Sequence, residues 1–129
     1  MTAAGWHRIL ASSTPHPKSM TDQVILVLTT CPDSTEAERI AAALVTERLA
    51  ACVNRVEGVR STYAWNGQLQ DDREVLLVIK TTSGRLGELE ARLKALHPYE
   101  LPELLIVPVS GGNERYLEWV RLGVMEKDK

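Results

Sequence analysis

Tyr63-Ala64-Trp65-Asn66-Gly67 is the stretch that decides the fold. Asn-Gly between two β-rich runs is the strongest short hairpin signal, because both residues tolerate positive φ in a two-residue turn. Outward from it, residues 51–65 read as a long strand with a bend expected at Gly58, and residues 68–82 as its return, with an apolar centre at Val75-Leu76-Leu77-Val78-Ile79. Upstream, residues 23–30 form a continuous aliphatic run, as expected of a central strand buried on both faces. Pro32-Asp33-Ser34 breaks that run, and Asp33 with Glu36, or Thr35 with Glu38, supplies a helix-start pattern. Ala37, Ile40, Ala41, Leu44 and Val45 then recur at helical spacing to about Leu49. Downstream, Ser83 is placed to cap a second helix carrying Leu86, Leu89, Leu93 and Leu96 on one stripe, and Pro98 stops it. Residues 104–109 read as a short strand, and Pro108 either assigns it to an edge or marks its end. Gly111-Gly112-Asn113 is a turn and cap before a last amphipathic helix over residues 114–124.

The order β-α-β-β-α-β-α is that of an α+β protein, a ferredoxin-like split β-α-β sandwich with a long central hairpin and an added C-terminal helix. Strands of about a dozen residues exceed the usual five or six. A long hairpin projecting from a small sheet leaves open edges, which proteins cover or pair. Pairing with further copies of the same chain is the economical solution, so self-assembly is expected.

Composition bounds the function. The chain has 129 residues with 17 Asp+Glu against 15 Lys+Arg, a formal net charge of −2. Interspersed signs argue against nucleic-acid binding, which calls for a basic face. The longest apolar runs are far short of the ~20 residues of a membrane span. Two cysteines do not make a disulfide scaffold. A cytoplasmic globular protein is expected. Residues 1–20 stand apart: they hold no acidic residue and centre on Ser12-Ser13-Thr14-Pro15-His16-Pro17. Ile9-Leu10-Ala11 is too short for the ~7–15-residue core of a signal peptide. A disordered or non-native tail is expected there, with the folded domain at residues 21–129.

No nucleotide-binding, zinc-protease, hydrolase or Cys-x-x-Cys motif is present. Cys31 and Cys52 each read as a small buried hydrophobe or as a soft metal ligand. His97 is the one imidazole outside the tail. It heads His97-Pro98-Tyr99-Glu100-Leu101-Pro102-Glu103, where two prolines stiffen a segment bearing a His, a Tyr and two carboxylates. That segment suits a metal or small-molecule site, or equally a helix end followed by an edge connection. Lys80 interrupts an apolar strand and either snorkels or enters a polar pocket. Tyr63 and Trp65 share one face of the hairpin tip, which points to an interface.

Three stretches carry a resemblance: Val27-Leu28-Thr29-Thr30-Cys31-Pro32-Asp33, Leu49-Ala50-Ala51-Cys52-Val53-Asn54 with the following hairpin, and residues 97–103. Together they resemble the CutA family of divalent-cation tolerance proteins, over roughly residues 21–124. The resemblance implies a homotrimer that binds copper or other divalent metal ions, with no organic cofactor and no enzymatic activity. It implies Cys52, His97 and Glu100 as metal residues, and Tyr63, Trp65, Lys80, Tyr99 and Glu103 as residues around clefts between subunits. Other members place a thiol two positions before Cys31, where this chain has Thr29, which puts a two-thiol copper site in doubt. The alternative function is a regulatory trimer, similar in general shape to the PII signalling proteins, that senses a small molecule in those clefts and acts on a further partner. An enzyme using Cys52 and His97 lacks a third residue to orient the base.

Overall fold

The computed structural model describes residues 22–126. The expected tail at residues 1–20, with His7 and His16, lies outside them. The elements run β1 (Val24–Cys31), α1 (Ser34–Thr46), β2 (Cys52–Trp65), β3 (Gln68–Thr82), a single 3-10 turn (Ser83–Arg85), α2 (Leu86–Leu96), β4 (Leu105–Pro108) and α3 (Glu114–Gly123). The strands form one antiparallel sheet in the order β2-β3-β1-β4. The α+β split β-α-β arrangement read from the sequence is therefore the observed one.

Strand parity divides the sheet into two faces. Ile25, Val27, Cys31, Val75, Leu77 and Ile79 meet Ala37, Ile40 and Leu44 of α1 and Leu89 and Leu93 of α2 in one core. Leu89 and Leu93 are fully buried, and each contributes about 1.5–3 kcal/mol by leaving water. The even-numbered residues Leu26, Leu28, Leu76 and Val78 point the other way and are only half-buried. β1 is thus fully buried on the helix side, and on the other face only at its ends, Val24 and Thr30. On the open face α3 covers just one end, where Leu117 and Val120 pack on Val24.

Asp33 caps α1 as its spacing predicts, accepting from the Glu36 amide at 2.9 Å. The helix stops at Thr46 instead of Leu49, because Arg48 turns left-handed (φ 60). The Arg48 amide donates to the Val45 carbonyl and the Leu49 amide to the Leu44 carbonyl, at 3.1 and 2.9 Å, the pair of bonds that closes a Schellman C-terminus. Ser83 does not cap α2. Its amide still extends the sheet ladder by donating to the Gln23 carbonyl at 2.8 Å, so a 3-10 turn intervenes and α2 starts without a side-chain cap.

Asn66 and Gly67 both have positive φ, as the hairpin turn requires. The expected bend is a bulge: the β2–β3 register shifts between Val56 and Val59 around Gly58, at φ 78. β1 pairs with β3 only as far as Val75, so the hairpin beyond it is a two-stranded arm. β2 and β4 are the open edges, and every β4 residue is exposed.

Candidate functional site

His97 ends α2 buried, with 7% of its surface exposed. Its Nδ1 accepts from the Tyr99 amide at 3.1 Å, so the ring proton sits on Nε2, which donates to the Thr30 carbonyl at 2.8 Å. Both nitrogens are thereby committed, and the ring clamps the start of the 97–103 segment to β1. The Tyr99 ring lies 4.8 Å from the imidazole, centre to centre. From there the Tyr99 hydroxyl donates to Glu74 Oε2 at 2.9 Å.

The clamp closes one wall of a groove of about 1150 Å³ at the arm end of the open sheet face. The segment contributes Tyr99, Glu100 and Glu103 to it, and the arm contributes Tyr63, Trp65, Asp72 and Glu74. Among the described residues, no lysine or arginine lines it. The Tyr63 hydroxyl donates to Asp72 Oδ2 at 2.5 Å, and that bond holds the Tyr63 phenol above its ordinary range. Burial, then the hydrogen bond and charge of Glu74, push the Tyr99 phenol strongly up. Loss of water in the groove and the Glu74 carboxylate raise the Glu103 carboxyl. These shifts share a sign because loss of water, hydrogen bonds to carboxylates and neighbouring carboxylate charge all disfavour the ionised form.

Five of the eight residues singled out from the sequence, Tyr63, Trp65, Tyr99, Glu100 and Glu103, meet in this groove. Lys80 does not. It lines a separate pocket beneath α3, at the far end of the same face. Cys52 stands opposite Lys80 in the β2–β3 register, whereas His97 bonds to Thr30, whose partner on β3 is Leu76. Four strand residues, roughly 13 Å, separate those levels, so one chain does not bring Cys52 and His97 together. Cys31 is fully buried, and burial ahead of the charges of Glu36, Glu74 and Asp33 raises its thiol to about 11, the mark of an unreactive thiol.

Asp72 and Glu74 are the residues that sequence reasoning missed. A two-residue turn at Asn66-Gly67 places Tyr63 opposite Gln70, and alternation then puts Asp72 and Glu74 on the same face. Among the described residues, no three His, Cys, Asp or Glu side chains are gathered closely enough to hold a metal ion. The described side chains of one chain therefore do not fit a complete metal site.

Comparison with known proteins follows the geometry. Residues 25–122 match the family described as CutA1 divalent ion tolerance protein. The chain is 50% identical over 96 residues to the "Divalent-cation tolerance protein CutA" of Thermus thermophilus, covering 74% of this chain and 93% of that protein. It is 41% identical over 116 residues to "Protein CutA 1, chloroplastic" of Oryza sativa, covering 90% of this chain and 66% of that one. The crystal structure of CutA from Xylella fastidiosa superposes with a TM-score of 0.78 at 45% identity, covering 80% of this chain and 99% of that chain. The chain belongs to the CutA1 divalent ion tolerance family.

Proposed function

We propose that this chain acts as a homotrimeric divalent-cation tolerance protein that binds copper or another divalent ion, in a binding role and not a catalytic one. The observation that carries this reading is the groove lined by Asp72, Glu74, Glu100 and Glu103, with no basic side chain among the described residues. Carboxylate oxygens are cation ligands, and a divalent ion would relieve the repulsion between Glu74 and Glu103. Because the described residues of one chain gather no three donors, the remaining ligands come from water or from a second copy. His97 acts through position, since a metal at either nitrogen must displace the Tyr99 amide or the Thr30 carbonyl. Cys52 joins the site only across an interface.

The trimer is supported by the unpaired arm, the exposed β4 edge and the half-covered Leu28, Leu76 and Val78 of the open face. No described helix is long and apolar enough to cross a membrane. We place the chain in the cytoplasm on composition, although relatives carry names from "chloroplastic" to "Periplasmic".

Calorimetric titration of Cu²⁺ and Zn²⁺ tests the reading. The full-length chain carries His7→Ala and His16→Ala, so that the tail imidazoles contribute nothing, and is compared with added Cys52→Ser or His97→Ala. Binding weakened by His97→Ala and unchanged by Cys52→Ser supports the groove. Binding lost in Cys52→Ser alone moves the site to the β2 end of the sheet.

The alternative, a small-molecule sensor, draws on one observation: the groove is far larger than an ion and presents the rings of Tyr63, Trp65 and Tyr99. A metabolite that displaces Trp65 fluorescence without any metal would favour it.

A further inference from the structure

The Lys80 pocket stands apart from the acidic groove. It holds about 360 Å³, within the range of small-ligand sites. Val24, Leu26, Val109, Leu117 and Val120 form the aliphatic half of its wall, Asn113 and Tyr116 also line it, and among the described residues Lys80 is its only charged one. The ammonium lies 5.4 Å from the centre of the Tyr116 ring. Among the described residues it has no carboxylate partner. A half-buried lysine in a mainly aliphatic pocket, with a ring face and no carboxylate beside it, is under-compensated. The ring face offsets part of that cost, and an anion would offset more. Gly111 and Gly112 also line the pocket, and within the described residues neither amide donates a hydrogen bond. The first amides of α3 are already taken by the Asn113 side chain, so the helix end itself is not the attraction.

A site whose wall is mainly apolar and whose one charge among the described residues is a cation selects a mainly apolar ligand with one anion. We propose that this pocket binds a short aliphatic monocarboxylate, its tail among Val24, Leu26, Leu117 and Val120 and its carboxylate on Lys80. An inorganic anion would leave the aliphatic wall wet, an amine would meet a like charge, and an alcohol would leave the ammonium unpaired.

The test titrates the full-length assembled protein with acetate, butyrate, hexanoate, hexan-1-ol and hexylamine, followed by methyl NMR. Hexanoate should shift the Val24, Leu26 and Val120 methyl signals, with affinity rising about fourfold for each methylene that enters the pocket. Hexan-1-ol should bind at least about tenfold more weakly than hexanoate, and Lys80→Met should weaken hexanoate by a similar factor while Lys80→Arg retains it. Equal binding of hexanoate and hexan-1-ol, equal binding of hexanoate by Lys80→Met, or no shift at those methyls overturns the proposal. If Lys80→Met does not fold, the acid-against-alcohol comparison on the unmodified protein decides alone.

Discussion

His97 Nε2 lies 2.8 Å from the Thr30 carbonyl oxygen, and this one bond joins the end of α2 to the end of β1 at the wall of the groove. Replacing His97 by Ala leaves the Thr30 carbonyl and the Tyr99 amide without partners and opens a cavity. A loss of about 2–4 kcal/mol of stability is expected. Hydrogen exchange reads the local effect: the Tyr99 amide should lose protection well beyond the global change. Unchanged Tyr99 protection would mean that the clamp does not hold the segment.

Glu103 gives a pH signature. Its carboxyl is raised in the folded chain above the ordinary value of 4.5 by desolvation and by Glu74. The folded state therefore holds the proton more tightly than the unfolded state, and stability falls as pH rises from about that value through the folded pKa. Glu103→Gln should be slightly more stable than the parent at pH 7, and the difference should vanish at pH values below 4.5. Exposure of the side chain keeps the effect small. Urea midpoints at pH 4 and 7 that differ from the parent by the same amount would rule out the like-charge account.

Gly58 at φ 78 has open space around it, so a methyl group there meets backbone strain and nothing else. Gly58→Ala should cost about 1–2 kcal/mol, read as a lower denaturation midpoint. No change would mean that the bulge relaxes freely.

Trp65 is 63% exposed at the tip of the arm. If the arm packs on further copies of the chain, Trp65→Asp should shift sedimentation from trimer toward monomer. A variant that still sediments as a trimer of unchanged stability would leave Trp65 on the surface.

Local chemistry explains which features were legible in the sequence. The Asn66-Gly67 turn fixed its own register and the apolar run Val75–Ile79 located the centre of β3, because both depend on neighbours in the chain, but a continuous run does not say which face packs on the helices. The end of α1 was not legible: a left-handed Arg48 replaces the glycine expected at that position. Ser83 was misread because the sheet ladder, a long-range feature, claims its amide. Lys80 was grouped with Tyr99 and Glu103 by resemblance, around clefts between subunits; within one chain it lines a separate pocket under α3. Docking of α3 is a tertiary event that no local period announces. Asp72 and Glu74 were within reach through the hairpin register, but as charges on a strand they read as ordinary solvated residues.

The most direct measurement is titration of Cu²⁺ and Zn²⁺ into the assembled protein beside the Glu74→Gln/Glu103→Gln double variant, both carrying His7→Ala and His16→Ala. Binding tighter than about 1 μM that weakens by at least about tenfold in the double variant is the predicted result. Equal binding by the two proteins would contradict a metal site in the acidic groove.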